Sequence, residues 1–330
     1  MKVAVIGATG LVGGLILKVL EERRFPVSEL IPVATEKSFG KKVYFKGFEY
    51  RITSVETALL KEPVLAVFSA GSETSRQWAA KFAEKGCRVI DNSSAWRMDE
   101  SKKLIVPEVN GHTLEKNDYI IANPNCSTAI LVMALAPLHK NFGVKRVVVS
   151  TYQSVSGKGQ QGVEELMNQR NGGSGIGVYP HRIDMNIIPH IDVFTDNGYT
   201  KEELKMTMET VKIMGDENIR VAATAARVPV TIGHCLSVNI EFQKDFQESE
   251  VREILSETPG VIVVDNPAMS GYPMPIDCAG KDEVFVGRIR RDFTQDKTLN
   301  CWIAGDNLRK GAATNAVQIA KLLYTKGWVR

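Results

Sequence analysis

The chain opens with a short apolar strand, a glycine loop and a helical repeat in direct succession, and few folds begin this way. Residues 2–6 read Lys-Val-Ala-Val-Ile, and Gly7-Ala8-Thr9-Gly10-Leu11-Val12-Gly13 follows at once. Apolar positions at helical spacing then run from 11 to 23. The spacing is G-x-x-G-x-x-G. Gly7 and Gly10 permit a tight turn and close backbone approach to a pyrophosphate, Gly13 permits close helix–strand packing, and the helix N-terminus faces the anion. Thr9, Leu11 and Val12 fill the same loop.

The pattern continues as an alternation. Residues 30–34, 64–70 and 88–91 read as further short apolar strands, and 74–85 reads as a helix closed by Gly86. Fully apolar strands separated by helices predict a doubly wound, parallel α/β domain. After Leu138 the texture changes: 144–151, 220–230, 235–242, 261–265, 284–291 and 299–304 read as strands, several alternating in polarity. Helices are fewer there, one over 200–214 opened by the capping box Thr200-Lys201-Glu202-Glu203 and one over 249–258. This half predicts an α+β domain with a mainly antiparallel sheet. Seven glycines between 155 and 177 predict a functional loop. An alanine-rich helix over 308–326 is expected to pack back on the first domain. The expected division is 1–127 plus 306–330 for the dinucleotide-binding domain and 128–305 for the second.

The 330 residues include 41 basic and 38 acidic ones, net +3, which gives no nucleic-acid or membrane footprint. No stretch has the length of a membrane span. Five scattered cysteines without a C-x-x-C pair argue against disulfides and metal, and for a reducing compartment, the cytoplasm.

One cysteine stands apart. Asn123-Pro124-Asn125-Cys126-Ser127-Thr128 places it after a turn and before an apolar run. Asn125 is a good N-cap, and helix-terminal amides favour a thiolate. Local context alone leaves a buried structural thiol equally open. At the end of the second strand, Thr35-Glu36-Lys37-Ser38 offers Thr35, Lys37 and Ser38 to a ribose 2′-phosphate, while Glu36 is discordant. NADP is favoured, with NAD as a secondary cofactor. On the 200–214 helix, Leu204, Met208 and Val211 line an apolar face, and Glu209 with Lys212 reads by itself as a surface i,i+3 pair.

The stretches VAVIGATGLVG, DNSSAWR at 91–97, NPNCST, TYQSVSGKG at 151–159, RVPVTIGH at 227–234 and GDNLRKGAA at 305–313 resemble aspartate-β-semialdehyde dehydrogenases, over essentially the whole chain. The resemblance implies a Rossmann-like NADP-binding domain and a substrate and dimerisation domain. It implies NADPH-dependent reductive dephosphorylation of β-aspartyl phosphate to aspartate semialdehyde, in lysine, methionine, threonine and diaminopimelate biosynthesis. The implied roles are Cys126 as nucleophile, His234 as general acid/base and Gln153 as the residue orienting the intermediate. Arg227 would anchor the substrate α-carboxylate, Glu209 its amino group, and Arg97, Asn92 and Lys212 the phosphate. Gly71, Ser156, Gly157 and Asn307 would contact cofactor. A homodimer, or a dimer of dimers, is implied, and no metal.

Two departures stand out. Many members carry an arginine where this chain has Lys37 behind Glu36, and Ala129-Ile130 replace a larger and a polar residue. The alternatives are another thiol acyl-phosphate reductase, such as N-acetyl-γ-glutamyl-phosphate reductase, and a non-catalytic relative. The latter should lack Cys126 or His234, and both are present.

Overall fold

Four consecutive buried residues, Val3 to Ile6, form most of β1 (Lys2–Ile6), a strand covered on both faces. It is followed by α1 (Leu11–Glu22), β2 (Glu29–Val33), a hairpin of β3 (Lys42–Phe45) and β4 (Phe48–Arg51), α2 (Val55–Leu60) and β5 (Leu65–Phe68). Then come α3 (Ser72–Glu84), β6 (Arg88–Asp91), β7 (Lys103–Leu104), α4 (Pro107–Asn110) and β8 (Ile120–Ala122). A computed structural model describes residues 1–330. The six-stranded sheet runs β2-β1-β5-β6-β8-β7 and is parallel throughout. Strand order reverses at β1, and ligands of such sheets bind at the carboxyl ends beside that reversal. The glycine loop leaves β1 there.

The second unit begins with α5 (Cys126–Phe142), β9 (Val144–Gln153), α6 (Gln160–Arg170) and α7 (Lys201–Met214). It continues through β10 (Arg220–Arg227), β11 (His234–Phe242), α8 (Glu248–Glu257), β12 (Val261–Val263), α9 (Pro275–Cys278), β13 (Val284–Arg291) and β14 (Thr298–Gly305). Its sheet runs β10-β9-β11-β14-β13-β12. Three pairings are antiparallel, but β10 with β9 and β12 with β13 are parallel. Polarity alternation is the same in both arrangements, which is why the sequence did not reveal the parallel edges. The buried helix α5 packs across β9, β11 and β14 between α7 and α8. No helix is long and apolar enough to cross a membrane.

The last helix, α10 (Thr314–Thr325), belongs to the first unit, where Ala316, Ile319, Ala320 and Leu323 share a core with Ile16, Leu17 and Leu20 of α1. Each fully buried leucine or isoleucine side chain of this set is worth about 1.5–3 kcal/mol, and each alanine less. The units are Met1–Pro124 with Ala312–Arg330, and Asn125–Gly311. The divisions fall at 124/125 and 311/312, where 127/128 and 305/306 were expected; the first lies just before α5, which starts at Cys126 and belongs whole to the second unit.

Two local expectations are overturned. The glycine-rich stretch is no open loop: α6 occupies Gln160–Arg170, and a Cβ at Gly162 would press on the Val155 carbonyl and the Tyr179 hydroxyl. These glycines serve packing as well as turning. On α7 the buried residues are Glu202, Glu203, Met206, Glu209, Thr210 and Ile213, while Met208 is exposed. The face chosen by hydrophobicity is the wrong one, since this helix buries carboxylates.

Candidate active site

The cysteine turn is built as its sequence suggests. Asn125 Oδ1 accepts the N–H groups of Ser127 and Thr128 at 3.0 and 3.2 Å, capping α5 at the residue before Cys126. A Cβ on Gly311 would lie 2.8 Å from Cys126 Cβ, so only glycine lets that backbone pass so close. Of the five thiols, Cys126 alone is not buried. Burial pushes the pKa of Cys235, Cys278 and Cys301 up to about 12 each and raises that of Cys87 as well. Those four are thiols at neutral pH and poor nucleophiles.

A buried hydrogen-bond network starts at Asn125. Because its Oδ1 is spent on the cap, its Nδ2 must be the donor to Glu202 Oε1, 2.8 Å away. The same carboxylate oxygen accepts from Gln153 Nε2 at 3.1 Å, and Glu209 Oε2 accepts the Asn125 N–H at 2.6 Å. Gln153 Nε2 also donates to Thr151 Oγ1 at 3.2 Å. Both amide hydrogens of Gln153 are therefore spent, and its oxygen is the atom available to a ligand. Glu209 is 1 % exposed, so it lies in the interior and not on the surface. Glu202 was missed in the sequence; its place two helical turns before Glu209 was the available signal.

A second cluster surrounds His234. In the sheet register Gln153 lies opposite Arg227, and His234 opens the strand on the other side of β9. Arg227, 4 % exposed, donates from Nη1 to the Ser154 carbonyl at 2.7 Å. His234 is wholly buried; burial first, then the nearby Arg227 guanidinium, hold its pKa well below the ordinary histidine value. Its Nδ1 accepts the Ser154 N–H at 3.1 Å, and its Nε2 is buried without a partner. A Cβ on Gly157 would stand 2.6 Å from Arg227 Nη1 and 3.3 Å from His234 Nε2, so any larger residue there must displace the guanidinium. Asn307 and Ser156 belong to this cluster: Asn307 Oδ1 accepts the Gly233 N–H at 3.0 Å, and its Nδ2 donates to Ser156 Oγ at 3.0 Å. The side chains of Ser156 and Asn307, expected at a cofactor, are thus engaged beside the histidine.

The remaining residues lie on the first unit, except Lys212, which is half-buried on α7. Arg97 is buried and donates to the Asn92 carbonyl at 2.8 Å, while both polar atoms of the Asn92 side chain are buried without a partner. An orphaned amide beside a guanidinium suits an oxyanion. At the glycine loop, a Cβ on Gly7 would strike the Ser69 carbonyl and one on Gly13 the Gly7 carbonyl. No side chain caps α1, which leaves its first amides for an anion. Thr9 Oγ1 and Ser38 Oγ are 3.4 Å apart, and Thr35, Glu36 and Lys37 are exposed beside them. Gly71 caps α3 at φ +87° with open space around it, so backbone conformation selects glycine. These features fit a dinucleotide.

Residues 2–117 match the semialdehyde dehydrogenase NAD-binding domain, and residues 135–310 match the semialdehyde dehydrogenase dimerisation domain. Together with a capped cysteine, this defines a pyridine-nucleotide semialdehyde dehydrogenase. Aspartate-semialdehyde dehydrogenase of Aquifex aeolicus is 53% identical, with 99% of each chain covered. That of Legionella pneumophila is 46% identical over 98% of this chain and 95% of its own. The crystal structure of aspartate semialdehyde dehydrogenase II from Vibrio cholerae complexed with ASA superimposes with a TM-score of 0.95 at 44% identity, covering 98% of both chains. This chain belongs to the aspartate-semialdehyde dehydrogenase family.

Proposed function

We propose that the chain reduces β-aspartyl phosphate to aspartate β-semialdehyde with NADPH, through a thioester on Cys126. The observation that carries the role of Cys126 is its position: one partly exposed thiol at a capped helix N-terminus, among five of which four are buried with raised pKa values. Cys126 Sγ attacks the β-acyl carbon, the bond from that carbon to the phosphate oxygen breaks, and phosphate leaves. Held by the Gly7–Gly13 loop, a nicotinamide nucleotide would supply the hydride for the thioester carbon. Collapse of the resulting tetrahedral centre breaks the C–S bond and releases aldehyde and thiolate.

Arg227 anchors the substrate α-carboxylate and Glu209 its ammonium, a pair of opposite charges suited to an amino acid. Arg97, Asn92 and Lys212 hold the phosphate; a guanidinium fork matches an oxyanion where an ammonium is a point charge. Gln153, held by Glu202, orients the acyl group with its free oxygen, and His234 serves the tetrahedral centres. Gly7, Gly10, Gly13 and Gly71 line the nucleotide, and Thr35, Lys37 and Ser38 favour NADP, with NAD as a weaker substitute. The match to a dimerisation domain supports a homodimer, and five free cysteines support a cytoplasmic setting.

The test is a steady-state assay of aspartate semialdehyde, phosphate and NADP, followed by alkylation mapped by mass spectrometry. Turnover is expected, with Cys126 labelled first and protected by substrate, and Cys126→Ala inactive but still binding nucleotide. Labelling of a buried thiol ahead of Cys126 would overturn the assignment.

A further inference from the structure

The loop after β6 folds around a carboxylate with no surface of its own. Asp91 ends β6 at 0 % exposure. Its Oδ1 accepts the Ser93 N–H at 3.1 Å and its Oδ2 accepts the Ser93 hydroxyl at 2.7 Å. Ser93 Oγ in turn accepts the Ala95 N–H at 3.1 Å. Ser75 of α3 accepts the Trp96 indole N–H at 2.9 Å, so its own hydroxyl hydrogen is the one that reaches Asp91. All three of these hydrogen bonds are donated to Asp91, which suits the carboxylate, the acceptor-only form. Burial raises the pKa of Asp91, and the hydrogen bonds from Ser93 and Ser75 and the charge of Arg97 oppose that rise. A further tie, Ser94 Oγ to Ser72 Oγ at 3.0 Å, fastens the loop to the start of α3. What the loop presents is the pair Asn92 and Arg97. Arg97 Nη2 donates to the Asn92 carbonyl at 2.8 Å, and the Asn92 side-chain oxygen and nitrogen are buried without a protein partner.

We propose that Asp91, acting through Ser93 and Ser75, is a positioning residue of the phosphate site: it folds the 91–97 loop so that the Asn92 amide and the Arg97 guanidinium meet one oxyanion. This rests on the phosphate role given above to Asn92 and Arg97. Charge and positioning predict opposite signs for the loss of Asp91. A fixed negative charge beside Arg97 repels a phosphate anion, so its removal would tighten binding if charge alone mattered. In Asp91→Asn, however, an amide N–H group faces groups that already donate, and the turn leading to Arg97 loosens. A guanidinium fork binds phosphate by geometry as well as by charge, so a loosened fork loses affinity.

The test titrates inorganic phosphate into enzyme saturated with NADP, which keeps the glycine loop occupied. Separate KM values for phosphate, aspartate semialdehyde and NADP accompany it. Asp91→Asn and Ser93→Ala should weaken phosphate binding by about tenfold or more, as for loss of one charge-assisted contact. KM for phosphate should rise in step, with KM for the semialdehyde and for NADP nearly unchanged. Trp96→Phe, which removes the indole N–H, should act in the same direction and less. Unchanged or tighter phosphate binding by folded Asp91→Asn overturns the proposal, as does a lowered active fraction with all three KM values unaltered. Should Asp91→Asn not fold, Ser93→Ala, which keeps the carboxylate, decides by the same readings. Arg97→Ala separates the two levels. If it too leaves phosphate affinity unaltered, the phosphate assignment fails and this proposal with it. If it abolishes phosphate binding while the Asp91 and Ser93 variants retain it in full, the positioning role alone is overturned.

Discussion

Asn125 Nδ2 and Glu202 Oε1 meet at 2.8 Å in the buried interior, although 77 residues separate them in the chain. This contact ties the cap of the Cys126 helix to the carboxylate that also holds Gln153. Removing Glu202 leaves two buried donors without their acceptor, each at a cost of about 1–3 kcal/mol. Glu202→Ala should therefore lower the urea midpoint and also kcat, because both Asn125 and Gln153 lose their orientation. Glu202→Gln keeps an acceptor oxygen and should do less on both counts. Unchanged stability and turnover in Glu202→Ala would show that the network is dispensable.

Lys37 is exposed on a 3₁₀ turn at the end of β2, beside the hydroxyls of Thr35 and Ser38. A charge-assisted contact to a 2′-phosphate is worth about 1.5–3 kcal/mol, or roughly ten- to a hundredfold in affinity. Lys37→Ala should raise the KM for NADP by that factor and leave NAD nearly unchanged. Titration of both nucleotides checks it; equal losses would remove Lys37 from nucleotide choice.

Arg227 sits where a Cβ on Gly157 would come within 2.6 Å of its Nη1. Arg227→Ala should chiefly raise KM for aspartate semialdehyde, since an anchor acts on ground and transition state together. Arg227→Lys should rescue little, because an ammonium lacks the fork. Gly157→Ala, which displaces the guanidinium, should produce the same kinetic pattern. A kcat effect without a KM effect in these variants would reassign Arg227.

The depressed pKa of buried His234 has a stability consequence with a definite sign. The unfolded chain binds a proton at this residue below about pH 6.5, and the folded protein does so only at lower pH. Between the two values the unfolded state holds the extra proton, so stability falls as pH drops, by up to about 1.4 kcal/mol per pH unit from this group. His234→Gln should lose that slope. Urea unfolding of both proteins at pH 7, 6 and 5 measures the difference; parallel curves would show that His234 titrates normally in the fold.

Much of the molecule was legible in order. Gly7, Gly10 and Gly13 between strand and helix specify a dinucleotide turn because the constraint is local: backbone conformation and the absence of a Cβ decide it. Asn125 before Cys126 is equally local, a cap reaching two and three residues ahead. The capping box at Thr200 and Glu203 is another such case. What only tertiary structure decided are pairings set by sheet register. Hydrophobicity turned α7 the wrong way because its buried face carries Glu202 and Glu209, whose partner, Asn125, lies 77 and 84 residues away. The helix within 155–177 was hidden because its glycines serve close packing, which composition reads as looseness. His234 reads alone as an ordinary strand histidine. Its protonation state exists only once β9 and β11 bring Ser154, 80 residues distant, against Nδ1. Short-range geometry is written into neighbouring residues, whereas the electrostatics of a buried group depend on everything the fold packs around it.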